Sequence, residues 1–333
     1  MRIINLEQSK KKQKVSKLNT FTIDVENGLN LKNKAISSKY FYDDTGSKIF
    51  QKITKHPDYY LTRNEIEVLN KIKFKLPTLL KLKEIDIIEL GPGDGSKSKI
   101  IINGFLKCNY IVNYYPIDIS KKALELLNKT IKESNRLKIN GIVSEYFEGL
   151  RYVKTISQNR QLVLFLGSNI GNFERSESIK FMKKIYNNIS NNSYIFAGFD
   201  LKKDIRKLNK AYNDSSNLTK KFNLNLLKRI NNELQGNFNL KTFIHYGKYN
   251  PLLGAMESFL ISTEKQQIHL KKLNKSFKFK LFEPIHLEYS FKFSIEDIEK
   301  IAFKTGFSIL DNYMNKDKGY LNSLWKKNYF PDK

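Results

Sequence analysis

The sequence predicts an α/β chain whose core is a parallel, doubly wound sheet running from about residue 65 to 201. Three features predict it: short apolar runs that stop at Gly or Asp, amphipathic segments of helical period between them, and a Gly-rich turn directly behind the first run. Thr62-Arg63-Asn64-Glu65 has capping-box spacing, in which the hydroxyl and the carboxylate each take a backbone donor, so it marks the helix that opens the sheet domain. Ile85 to Leu90 is the first strand and stops at Gly91. Tyr110 to Ile117, ending at Asp118, is the second, after which Ser120 caps a helix carrying Ala123, Leu124, Leu127 and Ile131 on one face. Gly141 to Ser144, Leu162 to Leu166 and Tyr194 to Phe199 are the third, fourth and fifth strands, with Ile179, Met182, Ile185 and Ile189 marking the helix between the last two.

Downstream, Thr219 to Leu234 reads as a helix with Phe222, Leu226, Ile230 and Leu234 on one face and Gly236 placed to end it. The pattern then changes. Thr242 to Tyr246, Ser258 to Thr263 and Ile285 to Phe293 read as strands with little helix between them, which predicts a separate antiparallel piece. Ser294 caps a last helix that ends at Gly306, and Phe307 to Tyr313 with Tyr320 to Trp325 form a closing strand pair.

A length of 333 residues corresponds to about two domains with ample core, and 40% hydrophobic with 28% charged residues excludes collagen, low-complexity disorder and a disulfide scaffold. No run approaches the roughly 18 apolar residues of a membrane span, and the basic start Met1 to Lys17 lacks a following apolar stretch, so a cytoplasmic protein is expected. Cys108 has no internal partner, and His56, His245, His269 and His286 are scattered, so neither a disulfide nor a metal is expected. The net charge of +26 invites a nucleic-acid reading. Lysine is spread along almost every segment, however, which fits a solvated basic surface, with a basic tail over residues 1–17 that includes Lys10 to Lys14.

Glu89-Leu90-Gly91-Pro92-Gly93-Asp94-Gly95 follows a strand and opens a helix. Glycines at 91 and 93 let the backbone approach a ligand, and the Glu89 carboxylate and the helix start supply polar anchors. Asp118, at the end of the second strand, stands where such sheets bind ribose hydroxyls. The spacing is nearer to an S-adenosylmethionine turn than to the dinucleotide fingerprint, whose third glycine would fall at Ser96; a plain strand-to-helix turn is the remaining reading. Cys108 is not in a Pro-Cys pair, and Tyr249-Asn250-Pro251-Leu252 lacks the Asn-Pro-Pro-aromatic pattern, so base methylation of nucleic acid is not supported.

Several further blocks occur in one order: Lys39-Tyr40-Phe41-Tyr42-Asp43, Gly46-Ser47, Pro57 to Arg63, Phe165 to Asn172, Asp200 with Asp204, Ala211-Tyr212 with Phe222-Asn223, and Glu288 to Phe293. Together with the Gly-rich turn they resemble the histidine Nα-methyltransferases of ergothioneine biosynthesis, from about residue 20 onward. The resemblance implies a Rossmann-like class I methyltransferase sheet (65–201 with 293–333) and an inserted α+β substrate lobe (18–64 with 202–292). It also implies that S-adenosylmethionine meets Tyr42, Glu89, Gly91, Gly93, Lys97, Asp118, Phe147 and Gly167. Tyr59, Asn172, Tyr212, Glu288 and Ser290 would line the amino-acid pocket. Asn172 would serve the α-amino and carboxylate groups, Tyr212 would donate to the carboxylate, and Glu288 with Ser290 would fix the imidazole N–H. Tyr42 and Tyr212 would steer the proton that the amine must lose.

The residues by themselves leave other readings open. Tyr59 and Tyr212 fit a packing role, Asn172 fits a cap for a helix beginning near Glu174, and Glu288 and Ser290 fit a solvent-facing strand edge. Two departures from the family pattern stand out. Tyr146-Phe147 has its acidic neighbour, Glu145, one place early, and Met256-Glu257-Ser258 puts a small hydroxyl where the family has a thioether. The room left by Ser258 keeps tryptophan or tyrosine open as the acceptor, and the charge alone keeps an RNA-binding or RNA-methylating protein open. A monomer acting on a free amino acid, without membrane or nucleic acid, is the expectation.

Overall fold

The computed structural model of the chain describes residues 1–6 and 13–328. In chain order it begins with β1 (Arg2–Asn5), α1 (Gln13–Asn30), α2 (Asp44–Ile53), α3 (Tyr60–Ile72) and α4 (Lys75–Leu80). An alternating run follows: β2 (Glu84–Leu90), α5 (Ser96–Lys107), β3 (Ile111–Asp118), α6 (Lys121–Thr130), β4 (Leu137–Val143), α7 (Tyr146–Ile156), β5 (Gln161–Phe165), α8 (Arg175–Asn188) and β6 (Tyr194–Asp200). Then come α9 (Ile205–Tyr212), α10 (Leu218–Leu234), β7 (Phe243–Asn250), β8 (Ala255–Ser262), β9 (Gln266–Leu270), β10 (Lys275–Phe279) and β11 (Pro284–Phe291). The chain closes with α11 (Ile295–Lys304), β12 (Phe307–Met314) and β13 (Tyr320–Lys327).

Two compact units result, one of Met1–Lys11, Arg63–Lys202 and Phe293–Lys333, the other of Lys12–Thr62 and Lys203–Lys292. The sequence reading sets the boundaries at 64/65 and 201/202 instead. The first unit carries an eight-stranded sheet in the order β1-β4-β3-β2-β5-β6-β13-β12. Its first six strands pair in parallel, and β13 runs antiparallel between β6 and β12. β5 and β6 are buried along their whole length, as are all but the first residue of β2, which is why they read as unbroken apolar runs. The chain winds outward from β2 in one direction and from β5 in the other, so the carboxyl end of β2 lies at the switch point where such sheets bind ligands. The caps behave as their chemistry dictates: Ser120 Oγ accepts from the Ala123 N–H at 3.2 Å, and Ser294 with Asp297 forms a reciprocal capping box.

The second unit holds a three-stranded antiparallel sheet, β11-β8-β7, and the hairpin β9-β10. The Phe222, Leu226, Ile230 and Leu234 stripe of α10 shares a core with Phe243, Leu260 and Ile285 of that sheet and with Leu270 and Phe277 of the hairpin.

Several local expectations are corrected. The residues 1–17 are not a plain tail: Arg2–Asn5 pair in parallel with β4, and α1 has begun by Gln13, while Lys10 to Lys12 lie outside the described residues. The third strand starts at Leu137 rather than Gly141, because Leu137 and Ile139 turn inward between the polar Lys138 and Asn140. The hairpin β9-β10 escaped the sequence reading, its buried Ile268, Leu270, Phe277 and Phe279 being interleaved with lysine and glutamine. Residue Gln235, not Gly236, takes the left-handed conformation (φ 53°) that ends α10. Gly236 is small for another reason: a Cβ there would lie 2.7 Å from Leu270 Cδ2. Finally, Thr62 to Glu65 is no capping box, since α3 already starts at Tyr60 and the Glu65 carboxylate is fully buried on other partners.

Candidate active site

In the first unit the turn after β2 is shaped by Gly91 and Gly93, whose φ angles of 68° and 60° lie in the left-handed region. The Gly91 N–H is tied to the Ile117 carbonyl at 3.0 Å, which fixes the turn beside the end of β3. A Cβ on Gly93 would meet nothing within 4 Å, so this stretch of backbone faces open space. Glu89 sits beneath, buried, with one carboxylate oxygen accepting from Ser98 Oγ and Tyr114 Oη. Burial raises its pKa, against the opposing pull of those two hydroxyls. Its firmest role is therefore to anchor the turn to α5 and β3.

Asp118 ends β3, with Oδ1 accepting from the Ser120 N–H at 2.8 Å. Burial pushes its pKa up to about 6, partly offset by the backbone N–H groups of Ser120 and Ile119. Beside it, Ser144 donates its backbone N–H to the Asp118 carbonyl at 3.1 Å, and its buried hydroxyl has no partner among the described residues. Glu65 gathers the other side: its carboxylate accepts from Lys97 Nζ at 2.8 Å, from the Gly167 N–H at 3.0 and 2.9 Å, and from Asn322 Nδ2 at 3.1 Å. Lys97 and Gly167, both expected site residues, are thus brought together by a carboxylate that the sequence reading spends on a helix cap.

The aromatic over the turn is Tyr146, whose Oη would lie 2.7 Å from a Cβ on Gly91. Phe147, the expected contact, instead packs its ring edge-on against Phe181 at 5.2 Å with Lys184 Nζ 5.4 Å from its centroid, and Glu145 is exposed. Asn172 ends a short 3-10 turn (Asn169–Asn172); it is exposed, and the N-cap position of α8 belongs to Glu174, so Asn172 is not the helix cap.

In the second unit Tyr42 and Tyr59 join an aromatic cluster. Tyr42 packs edge-on against Phe50 and Phe222, Tyr59 against Phe50, and Tyr42 remains 40% exposed. Tyr212, at the end of α9, donates to Ser290 Oγ at 2.6 Å. The hydrogen that the sequence reading offers to a ligand carboxylate therefore goes to Ser290. His245 holds this corner: its Nε2–H donates to the Tyr212 carbonyl at 2.8 Å, and Nδ1 accepts from Asn223 at 2.9 Å. Burial lowers the His245 pKa, which keeps the ring neutral and this arrangement intact.

Register in β11 shifts between His286 and Glu288, after which Glu288 stands opposite Ser258 and Ser290 opposite Met256 of β8. These four side chains share one face. Burial pushes the Glu288 pKa up to about 7, with the charge of Lys292 opposing, and the carboxylate accepts no hydrogen bond among the described residues. Lys292, which the sequence reading passed over, donates to Ser290 Oγ at 2.8 Å and to Tyr212 Oη at 3.2 Å. Alternation along 288, 290 and 292 was the available signal.

The profile of the family described as "Histidine-specific methyltransferase, SAM-dependent" matches residues 21–327. The chain belongs to that family. A histidine N-alpha-methyltransferase of Mycolicibacterium smegmatis is 29% identical over 277 residues, 83% of this chain and 85% of that protein. Ergothioneine biosynthesis protein 1 of Schizosaccharomyces pombe is 26% identical over 309 residues, 90% of this chain and 40% of that protein. The solved structure of the CcbJ methyltransferase from Streptomyces caelestis is 9% identical with a TM-score of 0.42, covering 79% of this chain and 90% of that one.

The sheet of the first unit has the doubly wound, Rossmann-like order, and this chain is an S-adenosylmethionine-dependent methyltransferase. The first unit fits that cofactor: the Gly93 backbone faces open space, the Asp118 carboxylate stands at the end of β3 beside the switch point, and the buried Ser144 hydroxyl has no partner among the described residues. Among the described residues no cluster could hold a metal ion, and no helix is long and apolar enough to cross a membrane. One prediction arises at Asp118. Ribose hydroxyls need the carboxylate form, so adenosylmethionine affinity should fall as pH drops through about 6, by up to about tenfold per pH unit below it. Titration by fluorescence or calorimetry at pH 5 and 7.5 checks this; a flat profile in the wild type, or an Asp118→Asn variant with the wild-type slope, would remove Asp118 from the site.

Proposed function

We propose that the enzyme transfers methyl groups from S-adenosylmethionine to the α-amine of L-histidine, three times over, to give hercynine. The observation that carries this reading is the face shared by Glu288 and Ser290, a part-buried carboxylate and a hydroxyl two residues apart. An imidazole offers an N–H to the first and a ring nitrogen to the second. The names of the relatives in bacteria and fungi support it.

S-adenosylmethionine, when bound, supplies a methyl group already activated on a sulfonium. The chain's own residues bind, orient and deprotonate. Asp118 holds the ribose hydroxyls, Lys97 the cofactor carboxylate, and the Gly91 to Gly93 backbone allows close approach. Within the second unit, Tyr59 packs against the amino acid. An ammonium has no lone pair, so a proton must leave before each transfer. Tyr212 and Tyr42 steer that proton by orienting the amine, and the proton itself passes to water. The enzyme is read as a monomer acting on a free amino acid.

Glu288 supplies the test. With its pKa near 7 in the free enzyme, binding an imidazole N–H at pH 7 should drive off about half a proton more than in Glu288→Gln. Calorimetry of histidine binding in buffers of different ionisation enthalpy measures this; equal proton release by both proteins would take Glu288 away from the imidazole.

A further inference from the structure

Lys292 follows the last residue of β11 and is 1% exposed, yet it serves no cap and no strand ladder with its side chain. Its Nζ donates to Ser290 Oγ at 2.8 Å and to Tyr212 Oη at 3.2 Å and lies 5.0 Å from the Tyr212 ring centroid. An ammonium can only donate, so both oxygens must accept from it. Ser290 Oγ also accepts the Tyr212 hydrogen at 2.6 Å. Two donors fill the lone pairs of the serine oxygen, and the serine's own hydrogen is the one valence left. It has to point away from the lysine and the tyrosine.

We propose that Lys292 is the positioning residue that sets the hydrogen-bond polarity of the acceptor face: by donating to Tyr212 and Ser290 together, it makes Ser290 a donor toward the ligand's side chain. The proposal rests on the histidine reading and sharpens it. Glu288, on the same face, is the acceptor, so the pair presents one donor and one acceptor. A neutral imidazole carries the complementary pair. A pyrrole or an indole has an N–H for Glu288 and nothing for Ser290, and an imidazolium would set a second N–H against the serine hydrogen. Recognition of an absent acceptor is costly because the donor is then buried unpaired.

The test uses Lys292→Met and two acceptors, histidine and β-(pyrrolyl)alanine, which keeps the ring N–H but lacks the acceptor nitrogen. Wild type should favour histidine in kcat/KM by about 10²-fold or more. In Lys292→Met the hydroxyl pair is free to reverse, and this ratio should fall by about tenfold with adenosylmethionine affinity unchanged. A variant that loses activity on both acceptors equally, leaving the ratio intact, overturns the proposal. Should Lys292→Met fail to bind adenosylmethionine, Lys292→Gln takes its place: the amide oxygen can accept the serine hydrogen and turn it inward, so the same fall is expected and an unchanged ratio again overturns the assignment. A wild type silent toward histidine overturns the substrate reading and this assignment with it, whereas an active wild type with unchanged variant ratios overturns this assignment alone.

Discussion

Replacing Glu288 with alanine is expected to lower kcat/KM for histidine by about 10²–10³-fold while adenosylmethionine affinity stays within about twofold of wild type. The magnitude follows from the environment. Burial already pushes the Glu288 pKa up to about 7, and neither Ser258 nor Met256 on the facing strand offers a carboxylate to a ligand N–H in its place. Glu288→Gln keeps one acceptor oxygen and should recover part of the loss. Steady-state kinetics with histidine, alongside cofactor titration of the same preparations, checks the split; parallel losses in both would mean that the side chain supports the fold rather than the acceptor.

The second large effect lies at Glu65. Its fully buried carboxylate accepts from three elements at once, through Lys97, the Gly167 N–H and Asn322. Removing one partner of a fully buried charge pair typically costs about 3–5 kcal/mol; here Lys97, 22% exposed, can turn to water while the buried Asn322 amide loses its acceptor, so the loss falls at the lower end of that range. Glu65→Ala should therefore lower the denaturation midpoint markedly and weaken adenosylmethionine binding, because Lys97 and the Gly167 turn lose their common anchor. Glu65→Gln keeps an acceptor for Gly167 but sets an amide N–H against Lys97, so it should fall between wild type and alanine. Chemical denaturation followed by circular dichroism decides the matter, and a Glu65→Ala protein as stable as wild type would contradict it.

What could be read from the chain and what could not divide along physical lines. Interactions that repeat locally are visible in sequence: the apolar runs of β2, β5 and β6, the Ser120 and Ser294 caps, and the glycines at 91 and 93 whose positive φ the turn requires. Asp118 was placed by its position at a strand end, which is a property of the sheet. Glu65 was misread because Thr62 and Glu65 have capping spacing, and only contacts from Gly167 and Asn322, far off in the chain, reveal that the carboxylate is spent elsewhere. Gly236 was misread for a similar reason: its smallness answers to Leu270 at the end of β9, to which it is bridged, and not to the end of α10. Between Tyr146 and Phe147 no local rule chooses which ring turns toward Gly91; Phe181 claims the second. Lys292 was within reach, since strand alternation puts 288, 290 and 292 on one face, but a lysine in so basic a chain reads as solvated surface until its burial is seen.

The most direct measurement is mass spectrometry of the purified enzyme incubated with adenosylmethionine and each proteinogenic amino acid in turn, scoring successive methyl additions. The account predicts mono-, di- and trimethylated histidine and no product from the rest, with Ser258, buried opposite Glu288, tolerated in a histidine site. Methylation of tryptophan or tyrosine in place of histidine, or silence across the whole set, would contradict it.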